Sequence, residues 1–345
     1  MNITDLADVI GRTERRVIDN GDRRSVVLIR TYDWPIRDVW DAWTDPTRLT
    51  RWLGEVRALP DRPAAIGDTV QMWLGPDEID TATLTILACE APERLTVRWQ
   101  WPGEADSFVD VVLRAVDEHR TELRLEHTAL TGSLTTGYGA GWEDFLAAAA
   151  DVLDGRESDD GSHDQIAAGV TPLWHEAASS AGTDPRWPVV TDGSDGSAVV
   201  VGHVFRQPIG VVWDLLTSPA SMAEWFGAFA GTAELHGEFS ITFDGGPASG
   251  TVRVCDAPHH LEVTWKWAHQ DFETVLSVDL SELDGGTAVT LRQQGMIGPA
   301  LGHSAGWSAY LSAADRRLSG RGRSEAAWQA DWEIAFQMIS RRPAR

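Results

Sequence analysis

The residue of this sequence best suited to acid–base chemistry is a histidine placed where a strand would turn its side chain inward. His127 stands in phase with Leu123 and Leu125, so the alternation of a strand predicts that all three face a domain interior. An imidazole in that place can transfer protons or orient a ligand. It can also be an interior histidine held by a backbone carbonyl or a water molecule, and both interpretations are kept.

A glutamine takes the same place in a second stretch of the chain. Gln293 is in phase with Val289 and Leu291, and an amide does not exchange protons at neutral pH. Proton transfer shared by the two positions is therefore excluded. We expect Gln293 at most to orient a ligand.

Two more candidates lie at the start of the long helix predicted near the end of each stretch. Tyr138 corresponds to His303, and each stands four residues before a shared tryptophan. We expect this end of the helix to lie near the mouth of any cavity beneath it. His303 is then a candidate general base, with a surface or capping role as the alternative.

Each stretch also has one strand in which a leucine, a valine and two tryptophans alternate with polar residues. The apolar stripes are Leu95, Val97, Trp99 and Trp101 in the first, and Leu261, Val263, Trp265 and Trp267 in the second. Such stripes fit either core packing or an aromatic wall for a flat ligand. Trp73, on a strand predicted near 68–74, is assigned to the same wall.

The sequence shows no metal-binding or cofactor-binding motif. His259 and His260 follow Pro258 in a predicted turn without a third ligand at a suitable spacing. The sequence also lacks a phosphate-binding glycine loop, a dinucleotide-binding motif and a nucleophile elbow. We therefore expect neither a metal nor a cofactor.

These candidates come in pairs because the chain contains an internal repeat. Three blocks recur in the same order: PIRDVWDAWTDP (35–46) and PIGVVWDLLTSP (208–219), CEAPERLTVRWQW (89–101) and CDAPHHLEVTWKW (255–267), and AGWEDFL (140–146) and AGWSAYL (305–311). The second copy is shorter between the first two blocks, in turn-like sequence. The pattern predicts a tandem duplication.

The repeat divides the chain into five segments. They are an N-terminal extension (1–22), a first domain (23–156), an acidic Gly- and Ser-rich linker with a short helix (157–196), a second domain (197–320) and a C-terminal amphipathic helix (321–345). That last helix, capped by Ser324, carries Trp328, Trp332, Phe336 and Ile339 on one stripe. The stripe is too apolar to stay solvated, so we expect it to pack on a domain, a protein partner or a second copy of the chain.

Each copy predicts one strand, two short helices, an antiparallel meander and a long closing helix. That order is typical of an α+β domain in which a curved sheet wraps around a helix and leaves room for a cavity. Cys89 and Cys255 occupy equivalent places and are predicted to be buried thiols, too few for a disulfide framework.

The VW-x-A/L-x-T-x-P and W-x-G opening, the strand starts at Gly67-Asp68 and Gly237-Glu238, and the AGW-x-x-x-L helix resemble the SRPBCC, or START-like, superfamily. More narrowly they resemble its branch named after the C-terminal domain of the activator of Hsp90 ATPase (AHSA1). The resemblance covers both copies and implies two tandem helix-grip domains, each a curved antiparallel sheet around a long C-terminal helix, with a hydrophobic cavity. Members of the superfamily include lipid and hormone carriers, polyketide cyclases and self-resistance proteins. The chaperone-binding domain of true activators has no visible equivalent here.

The charge of the chain excludes two classes of partner. There are 29 basic and 52 acidic residues among 345, a formal charge of −23, which would repel nucleic acid and anionic membranes. The first ten residues lack the pattern of a secretion signal, and no apolar run is long enough to cross a bilayer. We expect a cytoplasmic protein.

Three functions remain. We expect non-catalytic binding of a small hydrophobic or aromatic molecule in the START-like cavities. An alternative is an enzyme of the polyketide-cyclase or hydrolase kind that uses the cavity as a mould, with His127 or His303 transferring a proton. Another is a co-chaperone-like interaction module, acting through the sheet surface and the C-terminal helix. A filled interior favours the module, and an open one favours the other two.

Overall fold

The computed structural model describes residues 11–340, except 22, 58–64, 75–80, 157–159, 185, 187, 194–195, 233, 244–245 and 299. It comprises two compact units that divide after Asp184. Parts of the predicted N-terminal extension (1–10 and 22), of the predicted linker (157–159, 185, 187 and 194–195) and of the predicted C-terminal helix (341–345) lie outside the described residues.

The described part of the first unit forms one antiparallel sheet with helices. Its strands are β1 (Thr13–Asp19), β2 (Arg24–Tyr32), β3 (Glu55–Arg57), β4 (Thr69–Trp73), β5 (Thr81–Glu90), β6 (Arg94–Gln100), β7 (Ser107–Ala115) and β8 (Thr121–Leu130). Its helices are α1 (Ile36–Thr44), α2 (Pro46–Leu49), α3 (Thr135–Leu153) and α4 (Asp160–Ser179), with a 3-10 turn at Gly132–Leu134. The order across the sheet is β1-β2-β8-β7-β6-β5-β4-β3.

The described part of the second unit repeats this plan. Its strands are β9 (Val189–Gly193), β10 (Gly196–Phe205), β11 (Ala228–Gly231), β12 (Glu238–Phe243), β13 (Gly246–Asp256), β14 (His260–Trp267), β15 (Thr274–Leu283) and β16 (Gly286–Met296). Its helices are α5 (Ile209–Thr217), α6 (Pro219–Trp225), α7 (Leu301–Leu318) and α8 (Glu325–Ser340). Its strand order is β11-β12-β13-β14-β15-β16-β10-β9. This is the same order as in the first unit, given from the opposite edge of the sheet. The predicted α+β class and tandem helix-grip repeat are confirmed.

Residue periodicity places each core between the sheet and its long helix. Along β5 every second residue from Ala82 to Ala88 is buried, as expected for a strand with one face inward. On α3 the buried residues include Trp142, Leu146 and Leu153 at helical spacing. These two faces meet, and the space between them is the interior of the first unit.

The predicted domain boundaries need correction, because two flanking segments belong to the units. β1, from the predicted extension, pairs with β2, and β9, from the predicted linker, pairs with β10. The same linker contains α4, a helix of 20 residues in place of the short one predicted. Its Trp174 is completely buried in the core of the first unit.

One buried carboxylate on the long helix α3 bonds to both β1 and α4. Glu143 on α3 is inaccessible to solvent, pairs with Arg15 on β1, and accepts a hydrogen bond from the indole of Trp174 at 3.0 Å. The ring of Trp174 also lies so close to Gly139 that any side chain at 139 would clash with it. Because a buried carboxylate without its partner would be costly, β1 and α4 are integral to this unit.

The C-terminal helix α8 is the counterpart of α4. Each begins at the same distance from the end of the preceding long helix. The hydroxyl of Ser324 accepts a hydrogen bond from the backbone N–H of Ala327 at 3.2 Å and so caps α8.

The packing face of α8 differs from the predicted stripe. Its buried residues are Ala327, Ala330, Ile334, Ala335 and Met338. Trp328, Trp332 and Phe336 are only half-buried, and the side chain of Ile339 lies outside the described residues. Small residues let the helix approach closely, and Trp328 adds a ring contact, with its centroid 5.4 Å from that of Tyr310 on α7.

Both cysteines are exposed, which corrects the prediction of buried thiols. Cys89 and Cys255 occupy equivalent positions near the ends of β5 and β13.

Replacing Ile334 with alanine tests the packing of α8. We expect Ile334→Ala to lower the free energy of unfolding by about 2–4 kcal/mol, because it leaves a cavity in a buried contact. Gln329→Ala, at an exposed position of the same helix, should change it by less than about 0.5 kcal/mol. Urea unfolding followed by circular dichroism measures both, and equal stabilities would show that α8 does not pack as described.

Candidate functional site

A cavity of about 450 Å³ lies inside the first unit, between the sheet and the helices α1, α2 and α3. This volume is within the range of small-molecule sites in proteins. Inward side chains of β4 to β7 line one side of it. The other side is lined by α1 with Trp40 and Trp43, by α2 with Leu49 and by α3 with Trp142.

The wall of this cavity is almost entirely apolar. Its described residues include four tryptophans and no charged side chain. The hydroxyl of Thr44 is partnered, since it donates to the carbonyl of Trp40 at 2.9 Å. At the thiol of Cys89, desolvation and then the charge of Glu90 raise the pKa above its ordinary value. The wall therefore offers shape and apolar contact, with no ionised group.

The corresponding space in the second unit is nearly filled. About 90 Å³ remains, the room of roughly three water molecules. Aromatic side chains crowd it, namely Trp225, Phe226, Phe229, Phe239, Trp265, Trp307 and Tyr310. The expectation of a ligand cavity in each repeat is thus corrected, because the second interior is too small for a drug-sized molecule.

Two of the phenylalanines replace smaller residues of the first unit. Phe226 takes the place of Leu53, and Phe229 takes the place of Val56. Phe229 and Val56 occupy the same position in the pairing of their strands with the next strands. The ring of Phe226 fills the space beneath the long helix, with its centroid 5.9 Å from that of Trp307.

The third larger side chain is Phe239 in place of Val70, and it depends on a glycine in the neighbouring strand. Phe239 stands opposite Gly250 in the sheet as Val70 stands opposite Leu84. A Cβ on Gly250 would lie 2.8 Å from the Phe239 ring, so the missing side chain makes room for that ring. Larger side chains at three positions thus occupy the volume that is open in the first unit.

Of the eight residues in the two predicted stripes, six line these interiors. Leu95, Val97 and Trp99 line the cavity of the first unit, and the small space of the second is lined by Leu261, Val263 and Trp265. The stripe therefore has different surroundings in the two units. Trp99 borders a cavity, whereas Trp265 packs in a filled core.

Other predicted residues lie outside both interiors. Trp101 and Tyr138 line a separate, more open cleft together with Glu104. The hydroxyl of Tyr138 donates to Glu104 at 2.8 Å, and burial followed by this hydrogen bond raises the pKa of Tyr138. These two residues could meet a ligand only in that cleft.

Trp73 and Trp267 line neither interior. The guanidinium carbon of Arg57 lies 3.2 Å from the ring centroid of Trp73, a cation–π contact. The ring of Trp267 packs against Phe243 with centroids 5.1 Å apart. Each is the last residue of its strand, and neither lies in the wall to which the sequence assigned it.

His127 lies in a chain of hydrogen bonds between the long helix and the sheet. The indole of Trp142 donates to Nδ1 of His127 at 2.9 Å. Because Nδ1 accepts, the proton of the neutral ring is on Nε2, which lies 2.8 Å from the hydroxyl of Ser107. That hydroxyl is 3.3 Å from the carbonyl of Trp99. Burial lowers the pKa of His127 to about 3, so the ring is neutral.

The second unit builds the same chain from different residues. The indole of Trp307 donates to Oε1 of Gln293 at 2.8 Å. Nε2 of Gln293 donates to the hydroxyl of Thr274 at 2.9 Å, and that hydroxyl donates to the carbonyl of Trp265 at 2.9 Å. The amide of Gln293 and the neutral imidazole of His127 therefore make equivalent hydrogen bonds.

This equivalence corrects the assignment of His127 and Gln293 to the ligand site, and of His127 to catalysis. Each is completely buried, and neither lines its unit's interior. Each accepts from a tryptophan of the long helix and donates to a hydroxyl on the neighbouring strand. Their role is to hold the helix on the sheet.

His303 is half-buried at the start of α7 and does not line the interior of the second unit. Burial and then the nearby His269 lower its pKa. As a candidate catalytic residue it therefore has no cavity to serve.

Sequence reasoning missed the helical side of the cavity. Trp40, Trp43 and Leu49 line it, and helical spacing alone does not distinguish a residue that lines a cavity from one that packs in a core. A comparison of side-chain size between aligned repeats would have found the cavity. The exchange of Leu53 for Phe226 is visible in the sequence alone.

The buried, neutral state of His127 predicts how the free energy of unfolding depends on pH. Its pKa is about 3 when folded and about 6.5 when unfolded. The unfolded state therefore binds an extra proton as the pH falls below 6.5, and folding loses about 1.4 kcal/mol per pH unit from this group. His127→Gln should keep the hydrogen bonds, leave stability near pH 7.5 within about 1 kcal/mol, and remove this loss.

Urea unfolding at pH 7.5 and pH 5 measures the effect. Relative to the wild type, His127→Gln should gain about 2 kcal/mol on going to pH 5. His119→Gln, at an exposed position, should follow the wild type at both values. An unchanged pH dependence in His127→Gln would contradict a neutral, buried His127.

No helix among the described residues combines the length and apolar content needed to cross a bilayer. In the same part of the chain, no three His, Cys, Asp or Glu side chains come together as metal ligands would.

Comparison with known proteins gives one family match. The family described as Activator of Hsp90 ATPase homolog 1-like protein matches residues 33–154 and again residues 206–317. No curated protein matches the chain.

Several solved structures are similar. The crystal structure of CalU16 from Micromonospora echinospora is 30% identical and covers 49% of this chain and 99% of its own, with a TM-score of 0.40. DynU16, a protein of the dynemicin biosynthetic locus, is 19% identical over 86% of this chain and 99% of its own, with a TM-score of 0.34. The Aha1 dimer from Colwellia psychrerythraea is 15% identical over 34% of this chain and 95% of its own, with a TM-score of 0.32.

Each matched segment lies within one of the two units, and the units share a strand order, a long closing helix and its tryptophan anchor. The chain belongs to the Activator of Hsp90 ATPase homolog 1-like family and carries two of its START-like domains in tandem.

Proposed function

We propose that the first unit binds a small hydrophobic, aromatic molecule in its cavity and does not convert it. The observation that carries this proposal is the cavity of about 450 Å³ with its apolar wall. Protein interiors are normally close-packed, and an open apolar space forgoes the contacts that packing would supply. A ligand of matching shape restores those contacts.

The chemistry of the wall supports binding over catalysis. Among its described residues, Cys89 is the one titratable group, and its raised pKa keeps the thiol protonated and weakly nucleophilic. His127 is absent from the wall, and both of its ring nitrogens have hydrogen-bond partners. The enzyme alternative therefore has no group in the wall to transfer a proton.

The second unit is proposed not to bind such a ligand. Its remaining space of about 90 Å³ is too small. The rings of Phe226, Phe229 and Phe239 supply, within the protein, the contacts that a ligand would make in the first unit. The proposed function is thus a single binding site in a chain of two similar domains.

Filling the cavity from within tests this proposal. Leu53→Phe combined with Val56→Phe introduces two rings that the second unit accommodates at the same places. We expect the affinity for Nile red, a neutral aromatic dye whose fluorescence rises in apolar surroundings, to fall by more than tenfold. The melting temperature should not fall, because the rings enter an existing space.

The control adds a ring elsewhere. Val116→Phe changes a residue that is 42% exposed and should leave Nile red binding unchanged. The proposed function is refuted if the wild type does not bind the dye, or if the double variant binds it as well as the wild type does.

Truncating the paired strand tryptophans separates the two interiors. Trp265→Ala empties a filled core and should cost about 3–5 kcal/mol of stability without changing Nile red binding. Trp99→Ala enlarges an existing cavity, so it should cost less stability and weaken dye binding. Chemical denaturation and fluorescence titration report on both variants. The reverse pattern would place the ligand in the second unit.

A further inference from the structure

The open cleft of the first unit combines aromatic rings with one carboxylate. It has a volume of about 440 Å³ and lies between the first turns of α3 and the turn after β6. Among the described residues that line it, Glu104 is the one charged residue. The aromatic residues of the lining are Trp99, Trp101, Tyr138, Trp142 and Phe145. A cleft of this size can hold a small molecule.

The rings of the cleft meet at steep angles. The planes of Trp99 and Tyr138 are inclined by 86°, with centroids 6.4 Å apart, and those of Trp142 and Phe145 by 65°, with centroids 6.0 Å apart. Rings inclined in this way form the walls of a recess and not a flat stack. Because the face of an aromatic ring is partially negative, such walls accept both an apolar body and a positive charge.

The carboxylate of Glu104 is half-buried, and its partner in the cleft is neutral. The hydroxyl of Tyr138 donates to Oε2 of Glu104 at 2.8 Å. Burial, followed by this hydrogen bond and the charge of Glu104, raises the pKa of Tyr138, so the phenol keeps its proton. No described residue forms an ion pair with Glu104. Its negative charge is therefore positioned by Tyr138 but not compensated.

The turn that carries Glu104 does not require a carboxylate. Gln270 occupies the same place in the second unit. The backbone N–H of each residue donates to the carbonyl of the tryptophan three residues earlier, Trp101 or Trp267, at 3.0 Å in both units. The same turn thus forms with an uncharged amide. The negative charge is specific to the unit in which the cleft is open.

A larger ring occupies the corresponding space in the second unit. By strand pairing, Phe243 takes the place of Leu74, which lines the cleft. The ring centroid of Phe243 lies 5.1 Å from that of Trp267 and 5.7 Å from that of Tyr310. These two rings correspond to walls of the cleft in the first unit. The smaller leucine therefore leaves room between the rings there.

We infer that this cleft binds a small organic cation, a protonated amine with a flat apolar body, whose N–H donates to Glu104. The apolar body packs against the rings of Trp101 and Phe145. An anionic ligand would be repelled by Glu104, and a neutral one would leave its charge uncompensated. The formal charge of the chain, −23, also favours the approach of a cation.

The inference does not depend on the proposed function. The cleft and the cavity are two separate spaces, and their described linings share Trp99 and Trp142 alone. The cavity lining has no charged side chain, so it offers no group to select a cation. Binding at the two sites can therefore be measured with different probes.

Two probes of nearly the same shape test the inference on the full chain. 1-Naphthylmethylamine is protonated at pH 7, whereas 1-naphthalenemethanol is neutral. We expect the wild type to bind the amine about tenfold more tightly in equilibrium dialysis, as a hydrogen bond to a charged group would give. Glu104→Gln, the residue of the second unit, should abolish that preference. Glu118→Gln makes the same exchange at an exposed position outside the cleft and should retain it.

A second variant tests the location by filling the cleft. Leu74→Phe introduces the ring that the second unit holds at this place, and it should weaken binding of the amine by about tenfold or more. Leu74 does not line the cavity, so Nile red binding should be unchanged in this variant. This measurement does not depend on the folding of Glu104→Gln.

The outcomes separate this inference from the proposed function. It is overturned if the wild type binds the amine no more tightly than the alcohol, if the preference survives in Glu104→Gln, or if Leu74→Phe binds the amine as well as the wild type does. Each of these results leaves Nile red binding, and with it the proposed function, standing. Failure of the wild type to bind Nile red, with the amine preference intact, would refute the proposed function alone.

Discussion

The hydrogen bond from a tryptophan of the long helix to a polar side chain buried in the sheet is the constraint on which both units depend. Apolar contact alone would allow the helix to slide or rotate, because dispersion has little directional preference. A buried indole N–H must meet its acceptor within a narrow geometry, and losing that acceptor is costly. Trp142 with His127, and Trp307 with Gln293, therefore fix where the helix lies.

With the helix fixed in this way, side-chain size decides what the interior contains. The two units share their strand order and their anchor, yet one interior is about 450 Å³ and the other about 90 Å³. Phe226, Phe229 and Phe239 account for the difference by projecting into the same space from a helix end and two strands. The same sheet and long helix thus form whether the interior is open or filled. The volume of the interior can therefore change without a change of fold.

The sequence was sufficient to predict the architecture but only part of the site. Blocks that recur in order carry the strand and helix pattern, so the tandem α+β plan follows from period-two and helical spacing. The inward direction of His127 followed as well, but its partners did not, because Ser107 and Trp142 are distant in the sequence. The predicted domain boundaries differ from the observed ones for a related reason. Whether the segment holding Trp174 is a linker or a core helix depends on Gly139, far from it in sequence, leaving room for the ring.

The helix behind each long helix shows what the ancestral duplication copied. Since α4 and α8 begin at the same distance from the preceding helix, the copied segment was a whole domain with its outer helix and edge strand. Each complete copy can then vary its interior through a few side-chain exchanges. The first unit has an open interior, and the second unit has a tightly packed one. The instability inherent in an unfilled interior is thereby confined to one half of the polypeptide.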